Sequence, residues 1–245
     1  MQKELVRLSK LMSMHGLCSR READQLIAKG WVKVDGHIVK ELGTKVDPGA
    51  KIKLSREATL LLDRKVTILL NKPIGYLSSP TEKNYPLAVE LIRPENLAKE
   101  NRSVQKFHPS HRNGLAAAGR LDIDSKGLLL LTQDGVLAKT VIGEHSSIEK
   151  EYLVRVEGQI NQAKIKSLCF GLQLDGKSLK PAKVKELQAG LLQFILKEGK
   201  KRQIRRMCLL VDLKVLSIKR VRIGQIRLGK LKEGQWRYLK PDEKP

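Results

Sequence analysis

Aromatic residues are scarce in this 245-residue chain: two Trp, four Tyr and three Phe, 4% in all. With an apolar share of 41%, a core is affordable, but it must be mainly aliphatic. Cysteine is scarce too. Cys18, Cys169 and Cys208 are odd in number and far apart. That excludes a disulfide framework and a paired-cysteine metal motif, and each is expected to be a small buried residue. No stretch approaches the ~18 continuous apolar residues that a membrane span needs. No charged-then-apolar leader opens the sequence. A soluble, cytoplasmic protein with no membrane partner is expected. The five His are scattered, and the pair His108 and His111 suits a solvated loop; no metal is expected. The last shortage is of acids. There are 26 Asp plus Glu against 48 Lys plus Arg, a formal net charge of +22. Such an excess points to an acidic polymer as partner, nucleic acid first among them.

The patterning predicts a small module over residues 1–60. Leu5, Leu8, Leu11 and Met12 repeat at helical spacing. Ser19 followed by Glu22 is a capping box, in which side chains satisfy free amides at a helix start. Ala23, Leu26 and Ile27 supply that helix's apolar stripe, and Gly30 ends it. Two β-prone runs flank Asp35-Gly36, a hairpin signal. Asp47-Pro48-Gly49 is a turn, and Lys51–Leu54 alternates as a strand. Arg7, Lys10, Arg20, Arg21, Lys29 and Lys33, with few acids among them, favour phosphate contact. Residues 56–65 read as a charged linker. Residues 66–245 form the larger part, opening with a buried strand at Val66–Leu70. Residues 93–114, with Arg93, Lys99, Arg102, Lys106 and Arg112, read as a long surface loop insertion. Farther on, strands are expected at Tyr152–Val156, Leu192–Lys197 and Val215–Ile223, and helices at Ala163–Phe170 and Arg202–Val211. This order predicts an α+β fold with a mixed or antiparallel sheet.

The segment that needs a chemical explanation is Gly119-Arg120-Leu121-Asp122-Ile123-Asp124, followed by the apolar run Leu128–Leu131. Gly119 permits a close backbone approach, and the apolar run fixes the segment to the core. A carboxylate among cations stays ionised, which makes it a poor acid but a ready nucleophile or base. Asp122 is the candidate acting group. Asp124 reads as a structural turn residue. Tyr152 heads a strand, and in a nucleic-acid enzyme such a ring can stack on an extruded base.

Two resemblances gather these residues. Arg7–Lys10, Cys18–Asp24 and Val32–Gly36 together resemble the RNA-binding αL module named for ribosomal protein S-four, with Ser19 among its contact positions. Over nearly the whole chain, five motifs resemble the RsuA-type rRNA pseudouridine synthases of bacteria. They are Leu70–Gly75, Gly119–Asp122, Lys150–Val154, Arg202–Met207 and Arg220–Gly224. The resemblance implies that Asp122 acts on the ribose of a uridine and that Arg120 helps hold the place of the flipped-out nucleotide. It implies that Tyr152 stacks on the base and that Arg205 pairs with the catalytic carboxylate. Ile223 is implied to pack under the site, and Arg202 and Arg206 to contact RNA. The implied reaction cleaves the N-glycosidic bond, turns the uracil and rejoins it through carbon five, with no cofactor. Ala116–Ala118 with Asp122–Asp124 resemble the branch acting on small-subunit rRNA. Arg202–Met207 and Cys18–Asp24 resemble branches acting on large-subunit rRNA, so 23S is favoured over 16S. The expected partner is ribosomal RNA or a ribosome assembly intermediate. No heptad or large apolar stripe calls for self-association, so a monomer is expected. The competing reading is a non-catalytic RNA-binding or ribosome-assembly factor, which leaves Asp122, Tyr152 and Arg205 without a purpose.

Overall fold

The computed structural model describes residues 4–80, 84–99, 101, 103 and 105–245. They fall into two compact units. One holds the described residues up to Val66 with Thr132–Ala138; the other holds Thr67–Leu131 and Lys139–Pro245.

The smaller unit opens with a short strand β1 (Val6–Arg7), then α1 (Leu8–Met14) and α2 (Arg20–Ala28). The capping box forms as expected. Ser19 Oγ accepts the Glu22 N–H, and Glu22 Oε2 accepts the Ser19 N–H at 2.7 Å. Strands β2 (Val32–Val34) and β3 (His37–Val39) pair across Asp35-Gly36, both with positive φ. β4 (Lys45–Val46) returns to β1, and β5 (Ile52–Leu54) pairs with β2. Leu8, Met12, Leu26, Ile27 and Val32 form the core. Leu5 lies outside α1 and is exposed. The expected linker is instead a helix, α3 (Arg56–Asp63), with Ser55 Oγ accepting the Ala58 N–H. Only Ala58 of it is buried, so its apolar stripe was too thin to stand out.

The larger unit is built on β6 (Thr67–Lys72), β7 (Ala116–Ala117), β8 (Lys126–Thr132), the second half of α4 (Gly135–Ile142), whose first turn belongs to the smaller unit, and β9 (Lys150–Glu157). Then come α5 (Gln162–Cys169), β10 (Gln173–Leu174), β11 (Lys177–Ser178), β12 (Lys183–Gln188) and β13 (Leu191–Leu196). The last elements are α6 (Gln203–Leu209), β14 (Lys214–Ile223), β15 (Ile226–Arg227) and β16 (Trp236–Tyr238). One mixed sheet runs β12-β13-β9-β14-β8-β6-β16. Its centre is the parallel contact of β14 with β8, in register Arg220 to Gly127. A Cβ on Gly127 would stand 2.3 Å from the Arg220 carbonyl oxygen, so this contact requires glycine. α5 and α6 cover the β9, β13 and β14 part of the sheet through Leu168, Ile204, Met207 and Cys208. Cys18 and Cys208 are buried, whereas Cys169 is only half-buried.

The expected surface loop at 93–114 is largely tied down where it is described. Trp236 Nε1 donates to Arg93 O at 2.8 Å, and the Ala98 N–H donates to Trp236 O. Phe107 packs on the Trp236 ring, and His111 Nδ1 meets the Tyr238 hydroxyl at 2.7 Å. Arg93, Lys99, Lys106 and Arg112 are exposed, and Arg102 lies outside the described residues. Among the described residues, no helix is long and apolar enough to cross a membrane.

Candidate active site

The segment from Gly119 to Ser125 enters β8, and nearly every residue in it is held from elsewhere in the larger unit. Gly119 has φ +94°, a backbone conformation that glycine adopts without strain. Its carbonyl accepts from Arg220 Nη2 at 2.8 Å, and Arg220 Nη1 reaches Arg120 O at 3.4 Å. Ser78 Oγ accepts the Leu121 N–H and donates to Leu121 O, at 2.9 and 2.8 Å. The Ser125 N–H closes a turn on Asp122 O, and the Gly75 N–H donates to Ile123 O. A loop fixed at so many points holds Asp122, the one acid of the loop that lines the cavity, in a defined place.

That carboxylate lines a cavity of about 1090 Å³, whose walls also include Arg120, Tyr152, Arg202 and Arg220. Arg220 is 2% exposed and has no carboxylate partner among the described residues. It donates Nε to Leu128 O at 2.7 Å, and its guanidinium carbon lies 6.0 Å from the centre of the Tyr152 ring. One cation thus fixes the carbonyls of the Asp122 loop and lies on the ring across β9, where Arg220 and Tyr152 are register partners.

Three expectations change. Arg205 does not pair with Asp122. Its Nη2 lies 3.1 Å from Asp124 Oδ2 and donates to Asp124 O at 3.0 Å. Arg202 Nη2 meets the same carboxylate at 3.0 Å. Burial pushes the Asp124 carboxyl up, but the Arg202 hydrogen bond and the two guanidinium charges outweigh it and hold the group below the usual range. Asp124 is therefore the acid that docks α6 on the loop. Ile223 is fully buried and is not part of the cavity wall; it sits in the sheet opposite Lys150. An apolar side chain sealed there supports the sheet and cannot touch RNA. Arg206 also turns away from the cavity, to a bidentate pair with Asp175 at 2.6 and 3.0 Å.

Sequence reasoning gave no role to Arg220, Lys150 and Lys72, although each lies in one of the motifs, and missed Ser78 altogether. Lys72 is fully buried and donates Nζ to Pro73 O and Tyr76 O at 2.8 and 2.9 Å. Burial lowers its pKa to about 8, against the opposing charges of Asp124 and Asp122. A period-two signal was available for two of these. Arg220 alternates with Ile218, and Lys150 with Tyr152, and all four line the cavity. No three His, Cys, Asp or Glu side chains are grouped as a metal needs among the described residues.

In the smaller unit Arg7, Lys10, Arg20, Arg21 and Lys33 are exposed, as RNA contacts must be. Ser19 is engaged as the α2 cap, and Lys29 Nζ lies 4.6 Å over the Trp31 ring.

The family model described as RNA pseudouridylate synthase matches residues 66–210, and that of the S4 domain matches residues 6–52. An Aquifex aeolicus (strain VF5) protein named as an uncharacterized RNA pseudouridine synthase is 35% identical over 240 residues, 97% of this chain and 94% of its own. The dual-specificity RNA pseudouridine synthase RluF of Escherichia coli (strain K12) is 34% identical over 97% of this chain and 77% of its own. A crystal structure of a pseudouridylate synthase superposes with a TM-score of 0.65 at 26% identity, covering 96% of each chain. The acid-bearing loop thus belongs to a fold and sequence shared with enzymes of one kind, and the chain belongs to the RNA pseudouridylate synthases, which isomerise uridine in RNA, with an S4 domain before the catalytic part.

Proposed function

We propose that this enzyme isomerises a uridine of ribosomal RNA, in the large-subunit 23S molecule rather than the small-subunit 16S, with Asp122 acting on the ribose. The observation that carries the reading is Asp122 on the wall of a cavity that also holds Tyr152 and Arg120. A uridine inside folded RNA hides its sugar edge, so the nucleotide must be extruded to reach this carboxylate. The Tyr152 ring offers a face for the extruded base, and exposed Arg120 holds the place it leaves. Asp122 acts on the sugar while the N-glycosidic bond breaks. The uracil turns, carbon five bonds to the same ribose carbon, the proton of carbon five leaves, and nitrogen one, freed from the ribose, takes up a proton. No atom is gained or lost overall. Arg205 supports this centre through Asp124 rather than by touching Asp122.

The exposed cations of the S4 domain and Arg202 supply backbone contacts, which position RNA without reading its sequence. The large-subunit preference rests on Arg202–Met207 and Cys18–Asp24. The substrate is free rRNA or an assembly intermediate, and the enzyme works as a cytoplasmic monomer. Mapping pseudouridines in rRNA from cells with and without the protein tests the target. One site in 23S rRNA should vanish with the gene. Loss of a 16S site instead overturns the subunit assignment.

A further inference from the structure

We propose that Lys150 and Lys180 form a phosphate subsite, holding the RNA backbone beside the nucleotide whose base lies on Tyr152. The inference rests on the reading of Tyr152 given above. Lys150 and Tyr152 are two residues apart on β9, so they face the same way, roughly 7 Å apart along the strand. Both line the cavity, as do Lys180 and Arg220. A backbone phosphate lies one sugar away from its base. A base against Tyr152 therefore brings a phosphate into reach of Lys150.

The lysine itself is prepared for an anion. It is 7% exposed, and its ammonium makes one hydrogen bond among the described residues, to Val141 O at 2.8 Å. No carboxylate pairs with it among those residues. Of the acids that line the cavity, Glu198 is engaged by the Lys180 N–H and Gln203 Nε2, both at 3.0 Å. Glu144 is exposed, and the Asp122 carboxylate, the acting group of the proposed reaction, makes no ion pair with Lys150 among the described residues. Burial first, and then the charges of Arg220 and Lys180, both cations, push its pKa down to about 8. A buried cation among cations is costly unless it is paired. A bound phosphate removes that cost and explains why the charge is kept there. Lys180 is exposed and can close on the phosphate from the solvent side.

The alternative is that Lys150 merely straps the end of α4 to β9 through Val141. Phosphate-ethylation interference separates the two. Deproteinised 23S and 16S rRNA is sparsely ethylated on its phosphates, and the fraction that still binds is sequenced for wild type, Lys150→Gln and Lys180→Ala. Wild type should exclude ethylation at a set of phosphates. Each variant should lose exclusion at one and the same phosphate, next to a uridine, and keep the others, with binding roughly tenfold weaker for Lys150→Gln. An excluded set identical in wild type and variants overturns the subsite, as does a lost phosphate with no uridine beside it. Lys180→Ala, at an exposed position, decides alone if Lys150→Gln does not fold. No isomerisation is read, so a failed isomerase assignment shows separately, as absence of a pseudouridine.

Discussion

At the scale of single residues, the site depends on a cation that sequence patterning does not single out. Arg220 satisfies three carbonyls, at Gly119, Arg120 and Leu128, and lies on Tyr152. All of its hydrogen bonds go to backbone carbonyls, which makes it a positioning residue. Removing a buried charge that carries several hydrogen bonds leaves those carbonyls unsatisfied, at a cost of roughly 3 kcal/mol. Displacing the loop by about 1 Å costs on the order of 10²-fold in rate. Arg220→Met should therefore lower kcat by about 10²-fold while KM for rRNA barely moves, and Arg220→Lys should restore part of kcat. A rise in KM with kcat unchanged would make Arg220 an RNA contact instead. The assignment of Arg205 shows why such roles escape a linear reading. Asp122 and Asp124 are two apart among the same arginines, and only the placement of α6 gives Arg205 and Arg202 to Asp124.

At the scale of elements, the parallel seam between β8 and β14 joins the Asp122 loop to the rest of the sheet. Gly127→Ala places a methyl 2.3 Å from the Arg220 carbonyl at a φ of +105°. The backbone, not a flexible side chain, must then move, at roughly 3 kcal/mol or more. A urea melt should show that loss, and an unchanged midpoint would refute the close seam. Local chemistry made much of the fold legible. The Ser19–Glu22 box, the Asp35-Gly36 hairpin and the period-two strand at Tyr152 follow from neighbours a few residues apart. What stayed hidden depends on distant partners. The 93–114 segment read as a plain surface loop because its anchors, Trp236 and Tyr238, come more than a hundred residues later. α3 was hidden by an apolar face that buries only Ala58. Asp122, Arg120 and Tyr152 could be read as site residues from their motifs, whereas Lys150, Lys72 and Ser78 act through burial and long-range hydrogen bonds.

At the scale of the whole molecule, the net charge of +22 suits RNA, and its buried members leave a mark on stability. Lys72 and Lys150 have folded-state pKa values of about 8, below an ordinary lysine's 10.5. Between these values the unfolded chain binds protons that the folded chain has released, so the larger unit gains stability as pH rises from about 8. Burial pushes the Cys208 thiol up to about 12 and the Cys18 thiol to about 11. Those groups act in the opposite sense as pH rises through about 9, where an unfolded thiol is half deprotonated; in the larger unit only Cys208 does so, against two lysines. Urea melts should therefore show the larger unit becoming more stable from pH 8 to pH 9, with a smaller gain in Lys150→Met. A fall in stability across that window would contradict the burial of the two lysines.

The central claim is that Asp122 is the acting carboxylate. Release of tritium from rRNA labelled at uracil carbon five measures it most directly, because only rejoining through that carbon expels the label. Wild-type protein should release the label. Asp122→Asn and Asp122→Ala should release none while binding the same RNA nearly as well. Release by either variant at the wild-type rate would contradict the role given to Asp122.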